Sequence, residues 1–164
     1  LFRSSYMEAL HTAQHKALIF SSFVKHLELF EVWCKTHKIK YSKLTGATAT
    51  HERKSQVEAF QNQEDVSFFF ISLKAGEVGL NLTKASYVLL LDPWWNPFSE
   101  RQAIARAHRI GQENKVNVIR FVSKDSIEEK IIKLQENKTE LFENIIDENH
   151  IVRDIIEQID NLLE

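Results

Sequence analysis

Two arginines with a fixed spacing are the residues of this chain best suited to chemistry. Arg106 and Arg109 lie three positions apart in the segment QAIARAHRIGQ, residues 102–112. If the segment is helical, this spacing places both guanidinium groups on one face, about one turn apart. Planar, permanently charged groups that point the same way suit a polyphosphate, because each can meet phosphate oxygens in a forked geometry. A solvated basic helix is the alternative that the pair alone leaves open.

The elements around the arginines indicate how the chain would position them. The apolar run YVLLL, residues 87–91, leads into DPWWNP, residues 92–97, and then into the arginine segment. A buried strand, a loop and a helix in this order present ligand-binding groups at the carboxyl edge of an open α/β sheet. Four further runs are typical of strands, mostly buried on both faces as in parallel sheets. They are residues 16–22, 39–44, 66–72 and 116–122, and helical patterns separate them. The sequence therefore predicts a three-layer α/β domain with a parallel sheet.

Five spaced motifs together resemble those of the SWI/SNF-type helicase-like ATPases, which are DNA-translocating and nucleoprotein-remodelling motors of helicase superfamily two. In chain order they are ALIFSSF (17–23), KLTGATATHER (43–53), SLKAGEVGLNLT (72–83), DPWWNP (92–97) and QAIARAHRIGQ (102–112). This is the order of the second of the family's two RecA-like lobes, and the resemblance covers about residues 16–135. It implies a RecA-like fold for the domain.

The resemblance also implies roles for individual residues. Arg106 and Arg109 would be arginine fingers that reach the γ-phosphate of ATP bound between the lobes. Gly79, Asn81 and Gln102 would lie at the nucleotide. Contacts with DNA are expected for the remaining candidates, which are Ser21, Ser22, Thr45, Gly46, Arg53, Lys74, Trp94 and Asn96.

Several of these positions have a second interpretation. Lys74 suits a DNA phosphate as a mobile point charge, and it equally suits the role of an ordinary solvated lysine. A double tryptophan after a buried strand is typically core, whereas the resemblance places at least one of Trp94 and Trp95 in lobe packing or near DNA. Glu77 departs from the family pattern, which has a glycine there, and a carboxylate near phosphates should repel them.

The sequence lacks the motifs that complete an ATP site. It contains no GxxxxGK[ST] loop for the β- and γ-phosphates and no acidic strand end for Mg²⁺. In the family both lie on the preceding RecA-like lobe, so that lobe is the expected partner and would bind ATP and Mg²⁺. The isolated domain is then expected to be inactive. Double-stranded DNA is the second expected partner, without sequence specificity, because backbone contacts carry no base information.

Composition limits the class of protein further. The 164 residues suit one domain, and the formal net charge of −2 disfavours a free-standing, sequence-specific DNA-binding domain. The single Cys34 permits no internal disulfide, and the seven histidines show no metal-ligand spacing. No apolar run is long enough for a membrane span. We expect an intracellular protein, in the cytoplasm or nucleoid if bacterial and in the nucleus if eukaryotic. Because the only methionine is Met7, we expect a fragment of a longer protein.

The C-terminal part, residues 126–164, is predicted to be a helical extension. Ser126 and Glu129 have the spacing of a capping box, and two apolar stripes follow. Such a helix either packs on its own lobe or offers a surface for a protein partner or for self-association. The alternative function for the whole chain is a non-catalytic interaction module that retains the helicase fold. A phosphate-binding loop encoded upstream would distinguish the motor from the module.

Overall fold

Helices and strands alternate along the described part of the chain. The computed structural model of the protein describes residues 2–76, 80–108, 111–112 and 115–139. The elements are α1 (Phe2–Thr12), β1 (Ala17–Ser21), α2 (Val24–Thr36), β2 (Lys40–Leu44), α3 (Thr50–Asn62), β3 (Val66–Ser72), α4 (Leu73–Gly76), β4 (Tyr87–Leu90), α5 (Pro97–Ile104) and β5 (Asn117–Arg120). A further helix, α6, covers residues 127–139.

The strands form one parallel sheet in the order β2-β3-β1-β4-β5. Strand β1 pairs with β3 on one side and with β4 on the other, and β2 and β5 are the edges. Since all five strands run in the same direction, their carboxyl ends meet at one edge of the sheet. This arrangement confirms the predicted RecA-like α/β fold.

Two apolar cores, one on each face of the sheet, produce the three layers. Successive strand residues point to opposite faces, so Leu18 and Phe20 pack with α3 and α5, whereas Ala17 and Ile19 pack with α1 and α2. Strand β3 is buried at all seven positions, which fits its mainly apolar, non-alternating sequence; its two polar residues are Ser67 and Ser72. None of the helices in the described ranges combines the length and the apolar composition that a membrane span requires.

Helix α6 packs against the lobe through one side. Ile131 and Gln135 are buried, whereas Ile127 and Leu134 are exposed. This packing supports the first of the two interpretations of the C-terminal helix, and the second apolar stripe lies outside the described residues. The predicted capping box does not form between Ser126 and Glu129: Ser126 Oγ instead accepts a 3.1 Å hydrogen bond from the Glu128 amide.

Candidate functional site

Four of the predicted motifs converge at the carboxyl edge of the sheet. Ser21 ends β1, Thr45 follows β2, Lys74 lies in the short helix after β3, and Trp94 follows β4. The structure describes the backbone of Lys74 but not its side chain. The contact of Lys74 with DNA therefore stays a prediction. Residues that are far apart in sequence thus share one edge, as expected for ligand-binding loops of a parallel sheet.

The carboxylate of Asp92 joins the first and fourth of these motifs. It accepts hydrogen bonds from the Ser21 hydroxyl and from the Ser22 amide, the latter at 2.9 Å. Ser21 is fully buried, so its hydroxyl holds two strand ends together and is not free to bind DNA, contrary to the sequence-based expectation. The Ser22 side chain is exposed and remains a candidate for a phosphate contact.

The environment of Asp92 favours its ionised form. Burial raises the pKa of this carboxyl, but the nearby His26 ring and the hydrogen bonds from Ser21 and Ser22 outweigh burial and hold the pKa below its usual range. His26 Nδ1 lies 3.7 Å from Asp92 Oδ1, and its Nε2 lies 3.1 Å from a guanidinium nitrogen of Arg3. A charged Asp92 is therefore part of the native arrangement of the edge.

We expect Asp92→Asn to destabilise the fold in a pH-dependent way. Because the pKa of Asp92 is lower in the folded chain, its charge contributes stability above the unfolded value of about 3.9 and loses it as pH falls through the folded pKa. The difference in unfolding free energy between wild type and Asp92→Asn should be constant near neutral pH and shrink below about pH 4. Urea titrations from pH 3 to 7 measure it, with the exposed Asp125→Asn as control. A difference that does not change with pH would contradict this role.

The second motif is a turn stabilised by Thr48. The Thr45 amide donates to Thr48 Oγ1 at 2.9 Å, and the Thr48 amide donates back to the Thr45 carbonyl at 3.1 Å. Arg53 Nε also donates to the Thr48 carbonyl, at 3.3 Å. Thr45 is buried and Gly46 is exposed, so the exposed part of this turn is the backbone around Gly46. Arg53 is half-buried and stabilises the turn as well as carrying charge.

The double tryptophan divides between core and surface. Trp94 is 4% exposed and packs edge-to-face on Phe20, with ring centroids 6.5 Å apart, whereas Trp95 is 59% exposed. The ring of Trp94 is therefore almost fully covered by its own lobe, which disfavours the predicted contact between Trp94 and DNA. Asn96 caps helix α5, because its Oδ1 accepts a 3.1 Å hydrogen bond from the Phe98 amide, and its side chain is exposed at the same edge.

Helix α5 ends before the arginines. Its last residue is Ile104, and the amide of Arg106 bonds to the carbonyl three residues earlier, that of Ala103, at 3.1 Å. The Arg106 carbonyl accepts a 3.0 Å hydrogen bond from the Leu82 amide, which draws it towards the third motif. The expectation that Arg106 lies within a helix is wrong for this reason. Arg109 lies outside the described residues.

Further contacts hold the fifth motif against the segment around the third. Gln112 donates through Nε2 to the carbonyls of Ala85 and Ala107, both at 3.0 Å. Gly111 precedes it with φ +96°, a conformation that favours glycine and turns the chain back. Asn81 is exposed and directly precedes Leu82, so it lies beside the Arg106 turn. Gln102 is exposed on α5, and Gly79 lies outside the described residues.

Glu100 connects helix α5 with the tryptophan loop and with α6. It is 1% exposed, and its Oε1 accepts from the Trp94 amide and from Gln135 Nε2, both at 2.9 Å. Its Oε2 pairs with Arg120 of β5, and Gln135 also donates to the Trp94 carbonyl. Sequence reasoning assigned no role to Glu100, Gln112 or Gln135. The sequence gives little indication of these contacts, since polar residues in helices and loops are common and usually exposed.

A metal ion at this edge would need several oxygen ligands, such as carboxylates. Among the residues that the structure describes, no group of three His, Cys, Asp or Glu side chains could hold a metal. The buried carboxylate at the edge, Asp92, is already engaged by Ser21 and Ser22.

The fold and the motif-bearing edge define a helicase-type lobe, and comparison with known proteins agrees. The chain belongs to the family of the helicase conserved C-terminal domain, which matches residues 3–111. Within it, the chain is a second RecA-like lobe of the SWI/SNF type, as the motifs predicted.

Two relatives and one solved structure illustrate the match. The chain is 49% identical over 133 residues to an uncharacterized ATP-dependent helicase of Schizosaccharomyces pombe, covering 81% of this chain and 13% of that protein. It is 41% identical over 145 residues to the chromatin remodeling factor mit1 of the same yeast, covering 86% and 10%. Its sequence is 40% identical to that of the chain in the crystal structure of the C-terminal part of the Fun30 ATPase domain. The two structures match with a TM-score of 0.73, and the match covers 77% of this chain and 41% of that one. The chain thus spans a small part of the curated relatives that it matches.

Proposed function

We propose that this chain is the second lobe of an ATP-dependent translocase or remodelling enzyme that duplex DNA stimulates. ATP and Mg²⁺ bind mainly to the preceding RecA-like lobe, and this lobe closes over the nucleotide. The observation that carries the proposal is the convergence of four motif segments at one edge of a parallel sheet.

On the nucleotide side, the arginine turn is the proposed contact with ATP. Arg106 is half-buried, and the bonds from Leu82 and Gln112 fix the backbone around it. A pre-positioned guanidinium stabilises charge that develops on the transferred phosphoryl group without reorganising during the reaction. Arg109 would act with it, and Gly79, Asn81 and Gln102 would contact the nucleotide.

On the DNA side, polar groups at the same edge are the proposed phosphate contacts. They comprise Ser22, the backbone around Gly46, Arg53, Lys74 and Asn96. Trp95 joins them in place of the buried Trp94, because its ring is exposed at the end of β4. Such contacts position a strand without reading bases, which suits movement along DNA of any sequence.

The names of the relatives support a chromatin setting. The matched proteins from fission yeast are named as an ATP-dependent helicase and a chromatin remodeling factor. We therefore propose a nuclear protein that acts on DNA within nucleoprotein.

ATP hydrolysis by the full-length protein, with and without duplex DNA, tests the proposal. We expect turnover that rises with duplex DNA of unrelated sequences, whereas the 164-residue chain alone should hydrolyse no ATP above background. Hydrolysis by the isolated chain would contradict the division of labour between lobes. A full-length protein with no ATPase activity would favour the non-catalytic interaction module.

A further inference from the structure

We propose that the amino-terminal edge of the sheet, opposite the motif-bearing edge, binds a second segment of duplex DNA through its phosphates. The feature that points to it is an open cavity of about 1080 Å³. Its lining includes residues at the start of every strand: Lys16, Lys40, Asp65, Ser86 and Lys115. We refer to this cavity as the amino-edge trench.

The trench is long as well as open. It crosses all five strands of the sheet, and neighbouring strands lie about 4.8 Å apart, so its two ends are separated by roughly 19 Å. Lys38 lies at the β2 end and Lys115 at the β5 end, with Lys84 beside β4. A compact anion could not contact both ends at once, whereas an extended polyanion could.

The trench is basic although the chain is not. Its lining has five lysines and two carboxylates, which leaves a charge of +3 with His11 and His15 neutral. The whole chain has a formal net charge of −2. Positive charge is therefore concentrated at this edge and depleted elsewhere, and such a local basic surface attracts nucleic-acid phosphates.

Two of the five lysines have a structural explanation. Lys16 donates to the carbonyls of Phe60, Gln63 and Val66 at 2.5, 2.6 and 3.0 Å, and Lys40 pairs with Asp65 at 2.5 Å. Helices α1, α2 and α3 end at this edge, and a cation there offsets the exposed carbonyls of a helix end. The ammonium groups of these two lysines are therefore already engaged within the protein.

The other three lysines have no such explanation. The ammonium groups of Lys38, Lys84 and Lys115 make no ion pair or hydrogen bond with any residue in the described ranges, and all three side chains are exposed. Lysines at solvent-exposed edges are common, so their exposure alone decides nothing. What distinguishes these three lysines is that all of them lie along one trench.

The backbone positions of these lysines are well fixed. Lys38 has φ 56° and closes the end of α2, where the Ile39 amide donates to the Cys34 carbonyl at 2.9 Å. The Lys84 amide donates to Gln61 Oε1 at 3.1 Å. Near Lys115, the Asn117 amide donates to the Ser86 carbonyl at 2.9 Å. Lys38 and Lys84 thus extend from backbone that hydrogen bonds hold in place, and Lys115 lies two residues before a hydrogen-bonded position of β5.

Duplex DNA fits this arrangement in charge and in length. One DNA strand has a phosphate about every 3.4 Å along the helix axis, so a trench of roughly 19 Å spans about five or six phosphates. Lysine meets phosphate as a point charge with no base preference. Since the motif-bearing edge faces away, a DNA segment held here is a different one from the DNA proposed to stimulate ATP hydrolysis.

Bridging of two DNA molecules by the full-length protein is the decisive measurement. Two duplexes with different fluorophores are mixed with the protein at low salt, and energy transfer between them reports bridging. Wild type should bridge them, and a triple variant with Lys38, Lys84 and Lys115 changed to Gln should bridge at least tenfold less. The salt slope of bridging should fall by about two to three units, since each phosphate contact contributes about 0.9. The corresponding triple Arg variant should keep bridging.

Two controls separate this proposal from the proposed function. A second triple variant, Lys124, Lys130 and Lys133 to Gln, removes exposed lysines outside the trench and should bridge like wild type. Stimulation of ATP hydrolysis by one short duplex should stay within twofold in the trench variant. Absence of stimulation in wild type would contradict the proposed function alone.

Three results would overturn the second DNA site. They are no bridging by wild type, full bridging by the trench variant, or polyglutamate of equal charge displacing DNA from the trench as effectively as unlabelled duplex. The last result would assign the trench to an acidic peptide.

Discussion

Replacing either arginine of the fifth motif with alanine in the full-length protein should lower DNA-stimulated kcat by about 10³- to 10⁵-fold. The affinity for ATP should fall much less, because the proposed contact strengthens as charge develops on the γ-phosphoryl group. The side chains concerned are Arg106 and Arg109. Single-turnover hydrolysis at saturating ATP and DNA measures the first quantity, and binding of a fluorescent ATP analogue measures the second.

A matched control is available in the same segment. Arg101 is an exposed arginine of α5 that stacks on Phe98, 5.7 Å from its ring centroid, and Arg101→Ala should leave kcat within a few-fold of wild type. Arg106→Lys should be almost as damaging as alanine, because an ammonium group cannot reproduce the planar fork of a guanidinium. If both alanine variants turn over normally, the arginines belong to a solvated basic segment and the ATP contact must be abandoned.

Glu100→Ala should destabilise the fold by about 2–4 kcal/mol, the largest stability effect that we expect from a polar side chain of this lobe. The substitution leaves the buried Trp94 amide without its acceptor and removes one of the two acceptors of the buried Gln135 side chain. An unsatisfied buried donor costs about 1–3 kcal/mol. The ion pair with Arg120 adds less, because the Arg120 side chain is 39% exposed and solvent screens it.

Urea unfolding of wild type and variants measures this effect. Glu100→Gln keeps one acceptor oxygen and should cost less than alanine, while Glu136→Ala, an exposed glutamate of the same C-terminal helix as Gln135, should be nearly neutral. Because Glu100 lies on the helix that leads into Arg106, its loss should also impair turnover in the full-length protein. Equal unfolding free energies for Glu100→Ala and Glu136→Ala would show that α6 is not coupled to α5 through this carboxylate.

Local sequence patterns were sufficient to predict the fold. Continuous apolar runs such as VSFFFIS predicted strands buried on both faces, and β3 is buried throughout. Such runs act locally, because a strand between two helical layers is covered on both faces and is therefore mostly apolar. The motifs predicted the second RecA-like lobe for a related reason, since each lies where a strand ends and its loop begins.

Side-chain environments at the motif edge could not be predicted in the same way. Ser21 and Ser22 are neighbours of the same type, yet one is buried against Asp92 and the other is exposed. Trp94 and Trp95 divide similarly between core and surface. Adjacent identical residues carry no sequence signal for such a division, which depends on the twist of the strand end and on what packs over it.

The sequence by itself determined the order of elements, the parallel sheet and the identity of the motifs, because hydrophobic periodicity and turn residues act over a few positions. Only the tertiary structure decided where α5 ends, since the Arg106 carbonyl bonds to Leu82, 24 positions earlier in the chain. It also decided that Glu100 and Gln135 meet, and that lysines preceding different strands line one trench. These are long-range contacts, and a pattern read along the chain cannot specify which distant residues become neighbours.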